Sequence, residues 1–188
     1  MVMINHNQLW LKGTDMVAEE VFRDLMAAVC APVTIVTAAE DGPFGTTVSA
    51  FASLSLRPPM VTAALDRGSR LLAPVLRTGR FGVNVLGHGQ EEAARLFAQR
   101  SVDRFAAVDW RYDHGLPRLS DAPGWLACEV AQAVDGGDHV LLLGTVRAAE
   151  SGTAVPPLVY GHRAFGTHSG FAARPRRPIT DLIAACSH

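Results

Sequence analysis

The chain has 188 residues, 48% of them hydrophobic, which is enough to bury one sizeable core and favours a single domain. Its 17 basic residues nearly balance its 18 acidic residues, so no overall field selects nucleic acid or an anionic membrane as a partner. The opening segment lacks the pattern of a secretory signal, and no run of about 20 apolar residues follows it. The sequence therefore predicts a soluble cytoplasmic protein.

Cysteine and histidine usage argues against a disulfide framework and against a metal site. The three cysteines, Cys30, Cys128 and Cys186, are an odd number without a C-x-x-C pair. The seven histidines form no H-E-x-x-H motif and no short ligand cluster. We therefore expect free thiols and no bound metal.

The first predicted elements are a helix and two strands. Apolar residues from Val17 to Met26 recur at helical spacing after an N-cap candidate at Asp15, which predicts an amphipathic helix. Residues 32–39 are rich in β-branched side chains and precede a Glu-Asp-Gly-Pro turn signal, as a strand would. Residues 42–60 are predicted to form a single second strand. Its polar positions carry hydroxyl groups rather than charges: Thr46, Thr47, Ser49, Ser53 and Ser55.

The middle of the chain is predicted to alternate two strands with two helices. Strands are expected over residues 60–66 and 79–87. Between them, Ser69 is a candidate cap for a helix that should be short or start late, because Pro74 would cost a hydrogen bond inside it. Residues 90–100 have the pattern of a better helix.

The remaining segments are predicted to be an irregular connection over residues 101–123, a long hairpin and a last strand. The hairpin joins residues 125–135 to residues 139–150, and the glycines between them would supply the positive φ angles of its turn. The last strand falls within residues 157–165. The tail after it is predicted to be a mobile end or a short helix.

These elements predict a mainly β fold: a mainly antiparallel barrel with two or three helices, rather than a doubly wound sheet. One competing signal is Gly87-x-Gly89 between a strand and a helix, which is how a dinucleotide-binding fingerprint begins. The third glycine of that fingerprint is replaced by Glu92, whose side chain would obstruct the close packing of helix on strand. We therefore interpret the two glycines as a turn into the helix.

Two neighbouring features suggest a ligand that combines a polar heterocycle with a phosphate. The short hydroxyl side chains of residues 42–60 would let a planar ring approach the backbone and would offer it donors and acceptors. A few residues later, Arg67, Ser69 and Arg70 fall at the predicted helix start, where guanidinium groups, a hydroxyl and free amides suit a phosphate. Each feature alone is also what an ordinary sheet face or a capped surface helix would show.

Several motifs, in this order and spacing, resemble those of the short-chain flavin reductases, the reductase components of two-component flavin-dependent monooxygenases. The motifs are GTTVSAFASLSLRPPMV, GRFGVNVL, DRF, GGDH and PLVY, and the resemblance covers about residues 21–165. It implies a flavin-binding split barrel, a homodimer, and hydride transfer from NADH or NADPH to FMN or FAD. It also implies a partner monooxygenase that receives the reduced flavin.

The same resemblance assigns residues to both ligands. The flavin-side positions are Thr47, Val48, Ser49, Ala50, Ser53, Leu54, Ser55, Arg67, Ser69, Arg70, Phe97, Arg104 and Phe105. The nicotinamide-side positions are Gly137, Asp138 and His139, with His139 orienting the nicotinamide and no obligatory acid or base. Phe97 could equally be the core face of its helix, and Tyr160 could line the pocket or be a buried strand residue.

Two departures from the family pattern bear on which flavin is preferred. Residues 30–33 read Cys-Ala-Pro-Val where relatives often have a Thr-Gly-Val turn, and Ser49 stands where Asn is common. Two alternative functions stay open: a carrier or sensor that holds flavin tightly on the same fold, and a pyridoxamine-phosphate oxidase-like enzyme on a related barrel. The predicted domain spans residues 16–168, between an N-terminal extension over residues 1–15 and a tail over residues 169–188.

Overall fold

The computed structural model describes residues 17–100, 103–152 and 155–168. The predicted cap Asp15, Cys186 and the tail after residue 168 lie outside the described residues. The described helices are α1 Glu19–Ala27, α2 Leu72–Thr78 and α3 Glu91–Ala98, with a 3-10 turn at Phe105–Ala107. The described strands are β1 Ala31–Pro32, β2 Thr34–Ala39, β3 Pro43–Val48, β4 Phe51–Leu56, β5 Pro59–Asp66, β6 Arg80–Val85, β7 Trp110–Asp113, β8 Leu116–Leu119, β9 Gly124–Gly136, β10 His139–Ser151, β11 Leu158–Gly161 and β12 Ala164–Thr167.

Seven strands form one antiparallel sheet in the order β3-β2-β6-β9-β10-β5-β4. The two edge strands, β3 and β4, are consecutive in the chain and are joined only by Ser49 and Ala50. The sheet must therefore curl until its edges approach, and the Ala64 N–H donates to the Ala50 carbonyl oxygen at 2.9 Å. No ladder joins β3 to β5 among the described residues. The predicted mainly β, antiparallel fold is confirmed, and its barrel is split between β3 and β5.

The prediction of one continuous strand over residues 42–60 is wrong, because the segment breaks at Ser49. The Phe51 N–H donates to the Ser49 carbonyl oxygen at 2.9 Å, which closes a three-residue turn between β3 and β4. β4 then pairs with β5, with a register shift between Ser53 and Ser55 that is typical of a bulge. The hydroxyl groups of the two strands consequently belong to opposite edges of the sheet and do not form one row.

The strands and helices predicted for the middle of the chain are confirmed by β5, β6, α2 and α3, but Ser69 does not cap α2, because the N-cap residue is Leu71 and no side chain caps it. α2 starts at Leu72, so Pro74 falls within its first turn, where no hydrogen bond is lost. Gly89 has a φ of 93°, and the Gly87 N–H donates to the Gln90 side-chain oxygen at 2.8 Å. These glycines form the expected turn into α3.

The long hairpin of β9 and β10 is confirmed, with Gly137 and Asp138 between its strands. Only Gly137 of the two adjacent glycines has a positive φ, 65°, as at the first central residue of a type II′ turn. Two other segments were predicted wrongly. The connection over residues 101–123 contains the β7–β8 hairpin, and the predicted last strand is the β11–β12 hairpin, which pairs with β1.

The core lies on both faces of β2, because that strand is sandwiched between the barrel interior and α3. Val36 packs into the barrel interior, whereas Ile35 packs against Phe97 of α3. The buried Thr37 hydroxyl donates to the Pro117 carbonyl oxygen at 2.7 Å, which ties the β7–β8 hairpin to the barrel. Cys128 is buried in the barrel, and burial raises the pKa of its thiol to about 12, so it is a packing residue.

The predicted amphipathic helix is present as α1, but its apolar face is exposed rather than buried. None of its residues is buried, and Phe22 and Leu25 are 59% and 66% exposed. α1 is held to β11–β12 by an ion pair between Arg163 and Asp24. No helix in the described ranges is long and apolar enough to cross a membrane.

Candidate functional site

A cavity of about 760 Å³ opens where the barrel is split. One wall is β3 with Ser49 and Ala50, and the opposite wall is the end of β5 with the loop that leads to α2. The lining is completed by Ala98, Arg100, Asp103, Arg104, Phe105 and, at the start of β10, His139. The structure brings these predicted site residues to the cavity: Thr47, Val48, Ser49, Ala50, Ser69, Arg70, Arg104, Phe105 and His139.

Other predicted site residues do not line this cavity. Phe97 is fully buried and packs edge-to-face on Phe105 at 5.1 Å, so it supports the wall from behind, as its core alternative predicted. Tyr160 is 38% exposed in the β1-β11-β12 sheet, and neither prediction for it is right. The rest lie on β4 or around the β9–β10 turn: Ser53, Leu54, Ser55, Arg67, Gly137 and Asp138.

The threonine hydroxyls of β3 have a structural role that the sequence did not reveal. The Thr47 hydroxyl donates to the Ala94 carbonyl oxygen at 2.6 Å, and the Thr46 hydroxyl donates to that of Phe97 at 3.4 Å. Both bonds tie β3 to α3. The exposed part of this wall is therefore Ser49 and Ala50, whose short side chains leave the backbone open to a ligand.

The loop between β5 and α2 offers side chains rather than free amides. The N–H groups of Gly68 and Ser69 donate to the Asp66 side chain and carbonyl at 2.6 and 2.9 Å. The Leu71 N–H donates to the Ser69 hydroxyl oxygen at 3.3 Å. The amides of Gly68, Ser69 and Leu71 are therefore already paired within the loop. Ser69 still has its hydroxyl hydrogen to donate, and Arg70 is exposed at the cavity.

Two guanidinium groups on opposite walls make the cavity suited to an anion. Arg104 donates to the carbonyl oxygens of Gly45 and Gln99, while its Nε is buried without a partner. Burial, and secondly the nearby charge of Arg70, hold the pKa of Arg104 below its usual value. Within the described ranges, neither arginine has a carboxylate partner. A bound anion would relieve this uncompensated charge.

His139 begins β10 directly after the hairpin turn and is the cavity residue on that side. Its Nδ1 lies 2.7 Å from the Asp138 carboxylate, and this hydrogen bond holds the pKa of the Asp138 carboxyl below its usual value. In the neutral imidazole, an Nδ1–H donated to Asp138 leaves Nε2 as an acceptor. His139 could therefore accept a hydrogen bond from an amide of a ligand.

Sequence reasoning missed three charged cavity residues, Asp66, Arg100 and Asp103. Arg100 could have been found from its position, because it is the last residue of the predicted helix and precedes Arg104 by four residues. Asp66 is the last residue of β5 and stands next to the predicted Arg67. No group of three or more metal-ligating side chains gathers in the part of the chain that the structure describes.

The fold and the cavity define a flavin-binding split barrel, and comparison with known proteins gives the family. The flavin reductase like domain matches residues 26–169, so the chain belongs to that family. A probable flavin reductase of Rhizobium meliloti is 39% identical over 132 residues, which are 69% of this chain and 42% of that protein.

Two further relatives match over most of their own length. The reductase component of a 4-nitrophenol 4-monooxygenase/4-nitrocatechol 2-monooxygenase from Rhodococcus opacus is 38% identical, over 77% of this chain and 78% of that protein. Among solved structures, the NADH:FAD oxidoreductase SgcE6 of Streptomyces globisporus, in complex with NAD and FAD fragments, has a TM-score of 0.78 and 32% identity. That match covers 83% of this chain and 98% of that chain.

Proposed function

We propose that the chain is an NAD(P)H:flavin oxidoreductase that reduces FMN or FAD and supplies the reduced flavin to a partner monooxygenase. The observation that carries the proposal is the cavity at the split of the barrel, which is lined both by the small residues Ser49 and Ala50 and by the guanidinium groups of Arg70 and Arg104. An open backbone suits a planar ring, and Arg70 with Arg104 suits a phosphate. Membership of the flavin reductase like domain family supports the same conclusion.

The residues that would hold a flavin divide into two groups. Ser49 and Ala50, with the adjoining backbone of Thr47 and Val48, would contact the ring system, and Ser69, Arg70 and Arg104 would bind the phosphate. Phe105, which packs on Trp110 with centroids 5.0 Å apart, is a firm apolar wall for the same cavity. Arg104 fits an acidic ligand, because its guanidinium is bonded only to carbonyl oxygens and has no carboxylate partner among the described residues.

When bound, the flavin supplies the redox chemistry, because it accepts a hydride from a reduced nicotinamide. The protein contributes alignment and exclusion of water, so no side chain needs to act as an obligatory acid or base. His139 would orient the carboxamide of the nicotinamide through Nε2, while Asp138 fixes the ring orientation through Nδ1.

We propose that the flavin and the nicotinamide bind in the same cavity, rather than in two separate sites. Titrating the protein with riboflavin, FMN and FAD by fluorescence, and then following the absorbance of NADH or NADPH with each flavin present, tests this. We expect binding of FMN or FAD and flavin-dependent oxidation of the nicotinamide. Tight flavin binding without oxidation would contradict the proposal and favour a carrier or sensor.

We also propose that the protein is a homodimer. Support comes from apolar side chains that one chain leaves exposed on α1 and on the edge strand β4, where Leu54 and Leu56 are 48% and 79% exposed. Light scattering at micromolar concentration should give about twice the 20.1 kDa mass of one chain. A mass of one chain at that concentration would contradict the dimer.

A further inference from the structure

Arg67 was expected beside the phosphate, but its side chain bonds instead to the tip of the β9–β10 hairpin, residues 135–139. Its Nε donates to the Gly137 carbonyl oxygen at 3.0 Å, and its Nη2 lies 2.5 Å from the Asp135 carboxylate. Its backbone N–H donates to the Asp138 carbonyl oxygen at 3.0 Å. Three bonds from one residue thus hold a turn that lies about 70 positions away in the sequence.

The hairpin tip is held by the backbone pairing of β10 with β5 and β9 and by the bonds from Arg67, and not by buried side chains. Every residue of β9 from Ala131 to Gly136 is exposed, so no buried side chain anchors that end of the strand. Asp138 is exposed and His139 is half-buried. The first buried residue after the turn is Val140. The position of the imidazole therefore depends on how firmly the turn itself is held.

We propose that Arg67 is a positioning residue: it clamps the hairpin tip so that His139 meets the nicotinamide in the correct place. Asp66 pairs with His139 across β5 and β10, and the residues after Arg67 line the flavin side of the cavity. Arg67 thus links the two walls between which both ligands would lie. This inference rests on the proposed function, and it places Arg67 outside the phosphate site.

If Arg67 is a positioning residue, its removal should impair turnover without destabilising the fold. The Arg67–Asp135 pair is largely exposed, with side-chain exposures of 46% and 82%, so its loss should change the stability of the fold little. Arg67→Ala keeps the backbone bond to Asp138, so the turn should still form. Catalysis depends on sub-ångström placement, so the loosened tip should lower kcat/KM for the nicotinamide about tenfold, mainly through KM.

The test compares Arg67→Ala and Arg67→Lys with Arg77→Ala, which removes an exposed arginine paired with Glu40 far from the hairpin tip. We expect the Kd of FMN or FAD to stay within about twofold in all three variants. Arg67→Lys should recover part of the loss, because an ammonium can reach one of the two side-chain acceptors. In the His139→Ala background, Arg67→Ala should add little, because the group it positions is gone.

A second readout needs no turnover. Amide hydrogen exchange over the hairpin tip of the ligand-free protein should be faster in Arg67→Ala than in wild type and unchanged in Arg77→Ala. Unchanged exchange, kinetics equal to those of Arg77→Ala, or a loss of flavin affinity as large as the loss in kcat/KM would each overturn the positioning role. If wild type oxidises no nicotinamide, the proposed function fails, and exchange alone decides whether Arg67 holds the tip.

Discussion

Replacing Arg70 by alanine should weaken phosphorylated flavins while leaving riboflavin almost unaffected. Arg70 is an exposed cavity residue without an ionic partner among the described residues, so its charge is available to a ligand. A hydrogen bond to a charged group contributes about 1.5–3 kcal/mol, and exposure favours the lower end. We expect about a tenfold rise in the Kd of FMN and FAD, which corresponds to about 1.4 kcal/mol.

The same substitution should not destabilise the ligand-free protein. The charge of Arg70 helps to lower the pKa of Arg104, so its removal relieves a repulsion between two cations. The midpoint of thermal unfolding should therefore stay the same or rise slightly. A fall in that midpoint would mean that Arg70 has a structural role that its contacts do not show.

The assay is fluorescence titration of wild type, Arg70→Ala and the distant Arg77→Ala with riboflavin, FMN and FAD at two salt concentrations. The preference of wild type for phosphorylated flavins over riboflavin should weaken at high salt, because ions screen exposed charges. Equal weakening of all three flavins by Arg70→Ala would refute the phosphate assignment. An unchanged Kd for FMN and FAD would refute it as well.

Four further variants, one of them a control, test other parts of the structure. His139→Ala should lower kcat/KM for the nicotinamide about tenfold and leave flavin affinity nearly unchanged, as steady-state kinetics and a flavin titration would show. Gly82→Ala places a Cβ 2.3 Å from a buried tryptophan ring and should cost about 2 kcal/mol of unfolding free energy, whereas Gly166→Ala meets no atom within 4 Å and should be neutral in denaturant unfolding. Arg118→Met removes a cation that pairs with Glu150 and Asp113 and lowers the pKa of both carboxyl groups. Because this stabilisation exists above the usual carboxyl pKa values and is lost as pH falls, the deficit in melting temperature should shrink below about pH 4.

Local signals in the sequence were sufficient for the strands that make the barrel. β2, β5 and β6 are short segments that contain β-branched residues and end at turns. The glycines at its turn predict the β9–β10 hairpin. Pairing of consecutive strands, as in β9–β10, needs only short-range information, whereas the β2–β6, β6–β9 and β5–β10 pairings join strands far apart in the sequence and could not be predicted from it. Of the predicted site residues, His139 and residues 47–50 lie on two walls of the cavity, whereas Gly137 and Asp138 do not line it.

What the sequence could not provide is the identity of each side chain's distant partner. Thr47 looked like a ligand contact, but its hydroxyl donor is used by Ala94, 47 residues away. Arg67 looked like a phosphate ligand, but the exposed carboxylate of Asp135 attracts it. Both choices depend on which segments meet in the folded barrel. The break at Ser49 was equally invisible, because its residues suit either a strand or a turn.

The most direct test of the account is anaerobic mixing of the protein and oxidised FMN or FAD with NADH or NADPH, while the flavin absorbance is recorded. We predict that the flavin is bleached as one reduced nicotinamide is consumed per flavin, and that no nicotinamide is consumed without flavin. A flavin that binds but stays oxidised with both nicotinamides would contradict a flavin reductase.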